Sequence, residues 1–270
     1  MLVFPNAKLN LGLYVTEQRP DGFRNLESAF VPLPWTDALE VLPATDNALT
    51  LTGIPIPGEV STNLCWRAYE LLQADFNLPP VQMHLHKVVP IGAGLGGGSA
   101  DAAFALRAMN TLFDLKLSTA QLQQYARRLG SDCAFFIENK PVFAYEKGDI
   151  FELLALDLTG VACKVVYPNL HISTGEAYSR VVPRKPRHDL RASLAQPMET
   201  WRETVSNDFE EALTPHYPLL AEIKHALYAA GAVYASLSGS GSAVYGLFPG
   251  LEMPPTLGVR HDYLVWDGLL

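Results

Sequence analysis

The sequence predicts a mixed chain of strands and helices in two domains, and two observations carry that expectation. Stretches of period two alternate irregularly with stretches of helical spacing, and no repeat of about 20–50 residues runs through them. Of the 270 residues, 49% are hydrophobic and 18% charged, an ordinary globular composition with enough chain for one large domain or two modest ones. A soft boundary falls near Leu153–Thr159.

Leu9, Leu11, Leu13 and Val15 alternate with Lys8, Asn10, Gly12 and Tyr14. Period two predicts a strand with the leucines on a core face and Lys8 and Asn10 on the other, by default a solvated one. Asp37–Leu42 and Leu49–Thr52 read as short strands. Leu64, Ala68, Leu71, Leu72 and Phe76 predict a helix from Asn63 to Phe76, closed by Pro79. Val81, Met83, Leu85 and Lys87 restore the strand period. Beyond a glycine-rich run, Ala102, Ala105, Leu106, Met109 and Phe113 predict a helix starting at Ser99. Ser118 with Gln121 forms a capping box for a helix ending at Leu129, with Gly130 beyond it. Val142–Glu146 and Val161–Tyr167 read as strands, Thr174–Val181 and Leu219–Ala230 as helices. Ala235–Ser238 and Ala243–Phe248 flank a Ser-Gly-Ser-Gly-Ser connection. Val182–Thr200, rich in Pro, Arg and Lys, reads as the least structured stretch.

A net charge of −8 gives no general attraction for nucleic acid or anionic membrane, so an anionic ligand must be captured locally. The three cysteines, Cys65, Cys133 and Cys163, have no metal-type spacing and suggest free thiols in a reducing compartment. The N-terminal stretch is broken by Pro5, Asn6, Lys8 and Asn10, unlike a signal peptide. No apolar run approaches the roughly 18 residues of a membrane span. The expectation is a soluble cytoplasmic chain without nucleic-acid or membrane partners, its oligomeric state open.

Five glycines stand between Gly92 and Gly98: Gly92, Gly94, Gly96, Gly97 and Gly98. Side-chain-free backbone bends closely around an oxyanion, and a helix that follows adds the positive end of its dipole. The bland alternative is a flexible connection. The P-loop pattern fails, because no Lys follows the last glycine. Gly92, Gly94 and Gly97 match G-x-G-x-x-G, but the second strand of a dinucleotide fold is missing between the two helices that follow. Asp132, after Gly130 and Ser131, would by default cap the helix over Ala134–Ile137. Ser238–Ser242 would by default be a hairpin connection. Together, these pieces supply a phosphate cradle, a cation, a base and a second backbone loop, which is what phosphoryl transfer requires.

P-N-A-K-L-N-L-G-L, P-I-G-A-G-L-G-G-G-S-A-D-A-A, L-G-S-D-C-A-F-F and S-L-S-G-S-G-S-A resemble the ordered motifs of the GHMP kinases, a likeness running from about Pro5 to Phe248. The resemblance implies an α+β fold of two domains, here 1–155 (N-terminal, ATP-binding) and 156–270 (C-terminal), with the active site in the cleft between them. With R-x-D-G-F-R and N-D-F-E added, it implies an acceptor carrying a cytidine diphosphate, phosphorylated on a tertiary hydroxyl in the non-mevalonate isoprenoid route. ATP is the implied donor, with Mg²⁺ arriving on the nucleotide and no dedicated metal ligands in the chain.

By the same resemblance, Asp132 is the catalytic base and Lys8 its cationic partner. Gly92, Gly94, Gly96, Gly97, Gly98 and Ser99 form the phosphate loop, while Asn63, Leu64 and Lys87 meet the adenosine. Asn10, Phe23, Arg24, Thr174 and Tyr178 hold the cytidine substrate. One departure stands out, since the usual Tyr-His pair is Phe23-Arg24 here. Phe23 keeps a stacking face without a hydroxyl, and Arg24 can replace His only through a backbone contact. Two competitors remain: a GHMP kinase for a sugar, homoserine or mevalonate, and a nucleotide-binding module without catalysis.

Overall fold

The computed structural model describes residues 1–250, 255–258, 260 and 262–270. Its strands in chain order are β1 (Leu2–Val3), β2 (Asn6–Gln18), β3 (Arg24–Thr36), β4 (Ala38–Pro43), β5 (Ala48–Gly53), β6 (Val81–Lys87), β7 (Val142–Tyr145), β8 (Ile150–Leu153), β9 (Ala162–Tyr167), β10 (Tyr234–Leu237), β11 (Val244–Phe248) and β12 (Leu264–Leu269). The α-helices are α1 (Leu64–Phe76), α2 (Gly97–Leu112), α3 (Thr119–Leu129), α4 (Phe135–Glu138), α5 (Thr174–Arg180), α6 (Leu190–Leu194), α7 (Trp201–Thr204), α8 (Asp208–Leu213) and α9 (Pro218–Ala229). The fold is α+β, as expected.

Contacts divide the chain into two compact units, each discontinuous in sequence. The first holds Met1–Ala7, Trp35–Ile91 and Gly96–Lys140; the second holds Lys8–Pro34, Gly92–Leu95 and Pro141–Leu270. This partition differs from a single cut near residue 155. The reason is strand pairing: β2 and β3 join β7 and β8 in one sheet, which carries most of the first 34 residues into the second unit.

In the first unit the sheet order is β1-β4-β6-β5, with β5 parallel to β6 and the other pairs antiparallel. Exposure alternates strictly along β6, so Val81, Met83, Leu85 and Lys87 all face inward. Helix α1 is capped by the Asn63 side chain, which accepts from the Cys65 amide at 2.9 Å, and it closes at Asn77 in the left-handed conformation before Pro79 is reached. The capping box of α3 forms as the sequence predicts. Leu39, Val41, Leu72, Leu85, Leu106, Met109 and Phe136 fill the core. Each such burial contributes roughly 1.5–3 kcal/mol.

The second unit contains the antiparallel sheet β10-β11-β9-β12. Beside it, Val166, Ile172, Phe209, Leu213, Ile223, Leu227, Leu237 and Val244 join Leu13 and Val15 in one core. β2 runs 13 residues and is buried on both faces along most of its length, so Lys8 and Asn10 lie inside rather than on a solvated face. The stretch 182–200 is more ordered than its composition predicts. Asp189 caps α6, accepting from the Ala192 amide at 2.8 Å, and Leu190 and Leu194 are buried.

Candidate functional site

Three of the predicted motifs meet inside the second unit. The front of the glycine loop, Gly92–Leu95, lies against β2 and the β10–β11 connection. The Lys8 amide donates to the Leu95 carbonyl at 2.9 Å, and the Ala243 amide to the Ala93 carbonyl at 3.1 Å. The Ser238 hydroxyl donates to the Gly94 carbonyl at 2.9 Å. Gly94 has φ +79°, and a Cβ there would drive into the Ser238 carbonyl oxygen. Two stretches of backbone thus touch where any side chain would separate them. Ser238–Ser242 is the expected hairpin connection, and it also forms a wall of the loop.

Lys8 and Asn10 lie beside that wall. The Lys8 ammonium donates to Asn10 Oδ1 and sits 5.0 Å from the centroid of the Phe30 ring. Asn10 Nδ2 donates to the Ser28 hydroxyl at 2.8 Å, which in turn donates to the Gly12 carbonyl at 2.6 Å. Both ends of the Asn10 amide are therefore committed to holding this strand and Lys8. Sequence reasoning did not assign Ser28, Asn207 or Tyr245. Asn207, in the N-D-F-E motif, donates to the carbonyls of Leu237 at 2.8 Å and Gly239 at 2.9 Å. Tyr245 donates to the Asn10 carbonyl at 2.7 Å. The N-D-F-E motif was a signal for Asn207; Ser28 and Tyr245 carried none.

The cytidine candidates also belong to the second unit. Arg24 donates from its guanidinium to the Tyr178 carbonyl and lies 5.6 Å from the centroid of that ring. Tyr178 packs edge-on against Phe209 at 4.9 Å. Phe23 is 57% exposed, with the Lys147 ammonium 5.3 Å from its ring centroid. Thr174 is the exposed first residue of α5, next to the capping Ser173. The departure at Phe23-Arg24 thus has a structural counterpart: the Arg24 side chain holds Tyr178, and Phe23 presents an exposed ring beside Lys147.

The first unit carries the back of the loop. α2 begins at Gly97, two residues earlier than predicted, with left-handed Gly96 (φ +70°) at its N-cap. A helix start leaves its first amides unpaired within the helix, a ready anion site. A Cβ on Gly98 would lie 3.9 Å from Leu64 Cδ1, so this adenosine candidate adjoins the loop. Asn63 is its neighbour and the cap of α1. Asp132 is half-buried and does not take the expected capping position, because Ala134 is the N-cap of α4, without a side-chain bond. Adjacent Cys133 is buried, and the Ser99 side chain lies near enough to act on its thiol. This sets the G-S-D motif beside the start of α2. Burial raises the Cys133 thiol to about 12, although the nearby Ser99 hydroxyl pulls the other way.

The Lys87 side chain is committed to two carboxylates. Its ammonium, 1% exposed, donates to Asp37 Oδ2 at 2.5 Å and to Asp101 Oδ2 at 2.7 Å. Burial alone would lower the Lys87 pKa, but the two carboxylates outweigh it and the result is raised. Burial, with Asp37 adding to it against Lys87, pushes Asp101 up to about 7. Asp101 Oδ1 is buried without a hydrogen-bond partner. The triad was invisible in sequence, where Asp37 and Asp101 stand 64 residues apart. Among the described residues, no cluster of three or more His, Cys, Asp or Glu is arranged to hold a metal ion, and no helix is long and apolar enough to cross a membrane.

Comparison with known proteins agrees with this geometry. The family described as GHMP kinases N terminal domain matches residues 63–140, and GHMP kinases C terminal matches residues 189–252. A protein of Bacteroides fragilis named 4-diphosphocytidyl-2-C-methyl-D-erythritol kinase is 49% identical over 252 residues, covering 92% of each chain. One of the same name from Parabacteroides distasonis is 43% identical over 270 residues, covering 100% of both. A crystal structure of 4-(cytidine 5'-diphospho)-2C-methyl-D-erythritol kinase superposes with a TM-score of 0.81 at 34% identity, covering 93% of this chain and 91% of that one. Mevalonate kinase of Methanococcus jannaschii shares the fold alone, with a TM-score of 0.72 at 14% identity over 99% and 97%. On motif geometry, family match and full-length relatives together, the chain belongs to the GHMP kinase family.

Proposed function

We infer that this ATP-dependent kinase phosphorylates the 2-hydroxyl of 4-diphosphocytidyl-2-C-methyl-D-erythritol. The observation that carries the reading is the meeting of the Lys8 strand, the glycine loop and the Ser238–Ser242 connection, three motifs remote in sequence. Relatives bearing that substrate's name at 43–49% identity support the choice of acceptor.

In this reading Asp132 accepts the proton of the attacking hydroxyl, and Lys8 stabilises the developing alkoxide and the transferring phosphoryl group. The amides of Gly92–Ser99 hold the ATP phosphates, with Asn63 and Leu64 toward the adenosine. The alternation of left-handed Gly92, Gly94 and Gly96 fits an anion cradle of backbone amides. Neutralisation of the phosphate charge would be supplied by Mg²⁺ carried in on the nucleotide. Phe23 stacks on the cytosine, and Arg24 keeps Tyr178 in place for its other face. Asn10 serves by holding Lys8, and Thr174 contributes its hydroxyl at the start of α5. The three free, buried cysteines suit a cytoplasmic enzyme.

ATP turnover measured with the cytidine acceptor, mevalonate, homoserine and galactose tests the assignment. Phosphoryl transfer should occur with the first alone. Asp132→Asn should cut kcat by roughly 10²–10⁴ while leaving ATP affinity unchanged. Equal turnover with mevalonate or homoserine would discard the cytidine acceptor, and wild-type kcat in Asp132→Asn would discard the base.

A further inference from the structure

Three charged side chains are buried together in the first unit, and the chemistry above uses none of them. Lys87 is the last residue of β6, and Asp101 stands one turn into α2, so their 2.7 Å ion pair ties the end of the strand to the start of the helix. Asp37, the single residue between β3 and β4, completes the set. Its Oδ2 accepts from Lys87, and its Oδ1 accepts from the amides of Val88 at 2.6 Å and Val89 at 2.8 Å. The chain between the two anchored ends is the connection 88–96, which contains most of the glycine loop.

Burying an ion triad is a poor way to add stability, because apolar side chains of similar volume commonly do as well or better. What charge-assisted hydrogen bonds supply is direction. That direction is visible at Gly97, where a Cβ would lie 2.9 Å from Lys87 Nζ and 3.0 Å from Val89 Cγ1. The first residue of α2 is pressed onto the lysine head, so any side chain there must displace it. Two of the three ammonium donors are taken by carboxylates, and the side chain is 1% exposed, which leaves it turned away from any ligand in solution.

We propose that the buried Asp37–Lys87–Asp101 triad is the positioning device of the phosphate loop. It fixes the first turn of α2 where its amides meet an ATP phosphate, and the Lys87 ammonium acts without touching the nucleotide. The proposal rests on the loop being the ATP phosphate site.

The test uses the whole enzyme and three variants: Lys87→Met, Asp101→Asn, and the chargeless triple D37N/K87M/D101N. Calorimetry gives Kd for a non-hydrolysable ATP analogue and, separately, for the cytidine acceptor, and melting temperatures are recorded without ligand. Lys87→Met leaves two carboxylates facing each other and is the variant most prone to unfold. Asp101→Asn keeps shape and an acceptor for Lys87, so it carries the test if the others do not fold. Positioning predicts that every folded variant, Asp101→Asn included, binds the ATP analogue more weakly by roughly 10–100-fold, the scale of misplacing a binding group by about an ångström. Acceptor affinity should stay within about threefold of wild type, a split that general loosening would not give. Unchanged ATP-analogue Kd in folded Asp101→Asn or in the folded triple variant would overturn the proposal. Weakening confined to variants lacking Lys87 would also overturn it, in favour of direct contact. Wild-type enzyme that fails to bind the analogue would sink the ATP site itself, a different failure.

Discussion

Gly94 and Gly97 stand three residues apart in one loop, and a methyl group is opposed at each for a different reason. At Gly94 the backbone is left-handed, and the obstacle is the carbonyl of Ser238, held in a hairpin between two paired strands. At Gly97 the backbone is helical, and the obstacle is the head of Lys87, a side chain held by two carboxylates. The front of the loop is thus set by backbone against backbone, with uncharged partners. The back is set by an ion triad. The first arrangement cannot yield without moving a sheet, whereas the second yields as far as its ion pairs do.

Substitution at Gly94 should have the largest effect. Gly94→Ala combines a left-handed strain of about 1–2 kcal/mol with forced separation from Ser238. ATP affinity should fall by roughly 100-fold or more. Calorimetry on the folded variant measures this, and wild-type affinity would show that the two loops need not touch.

Gly97→Ala should cost less. Overpacking of this kind is worth about 1–3 kcal/mol, and alanine returns part of it through helix propensity. The expected loss of ATP affinity is about 3–10-fold. The double variant Gly97→Ala/Lys87→Met sharpens the point, because the methyl then meets a more pliable neighbour. Its ATP affinity should exceed the value expected if the two losses simply added. Strict additivity would mean that Lys87 is not what opposes the side chain.

A third effect, on stability and not on ATP affinity, separates the two halves by charge. The Asp101 carboxyl, raised from 3.8 to about 7 chiefly by burial, binds its proton more tightly in the folded chain than in the unfolded one. Its contribution to stability is therefore full below pH 3.8 and is lost as pH rises to about 7. Asp101→Asn should flatten that decline by at most about 1.4 kcal/mol per pH unit. Lys87 and Asp37 face this carboxyl directly, and the buried Cys65 thiol feels its charge. The raised Lys87 pKa acts only in the alkaline range. Urea unfolding between pH 4.5 and 7 reads the slope, and parallel curves for the two proteins would contradict the assignment.

Local patterns were legible in the sequence wherever a few neighbouring residues decide the outcome. The alternation along β2 and β6, the capping box at Ser118, the glycine run and the helices after it all depend on contacts within a turn or a strand. The phosphoryl-transfer motifs were legible for the same reason, as short runs of fixed spacing. The 13-residue strand β3 was not, because Pro32 and Pro34 interrupt its pattern and its partners come from β2 and β7. β8 and β12 likewise form only by pairing with strands the sequence did not single out for them.

Which way a polar side chain turns was also beyond the sequence. Lys8 and Lys87 both occupy strands that alternate in sequence, and both are buried. One sits on an amide and a phenyl ring, the other between carboxylates that lie 50 residues before it and 14 after it. A strand's period assigns a face, but the charges that can be buried on that face are chosen by partners from distant elements. That choice is made only when the chain is packed, because an ion leaves water only where other groups replace its hydration.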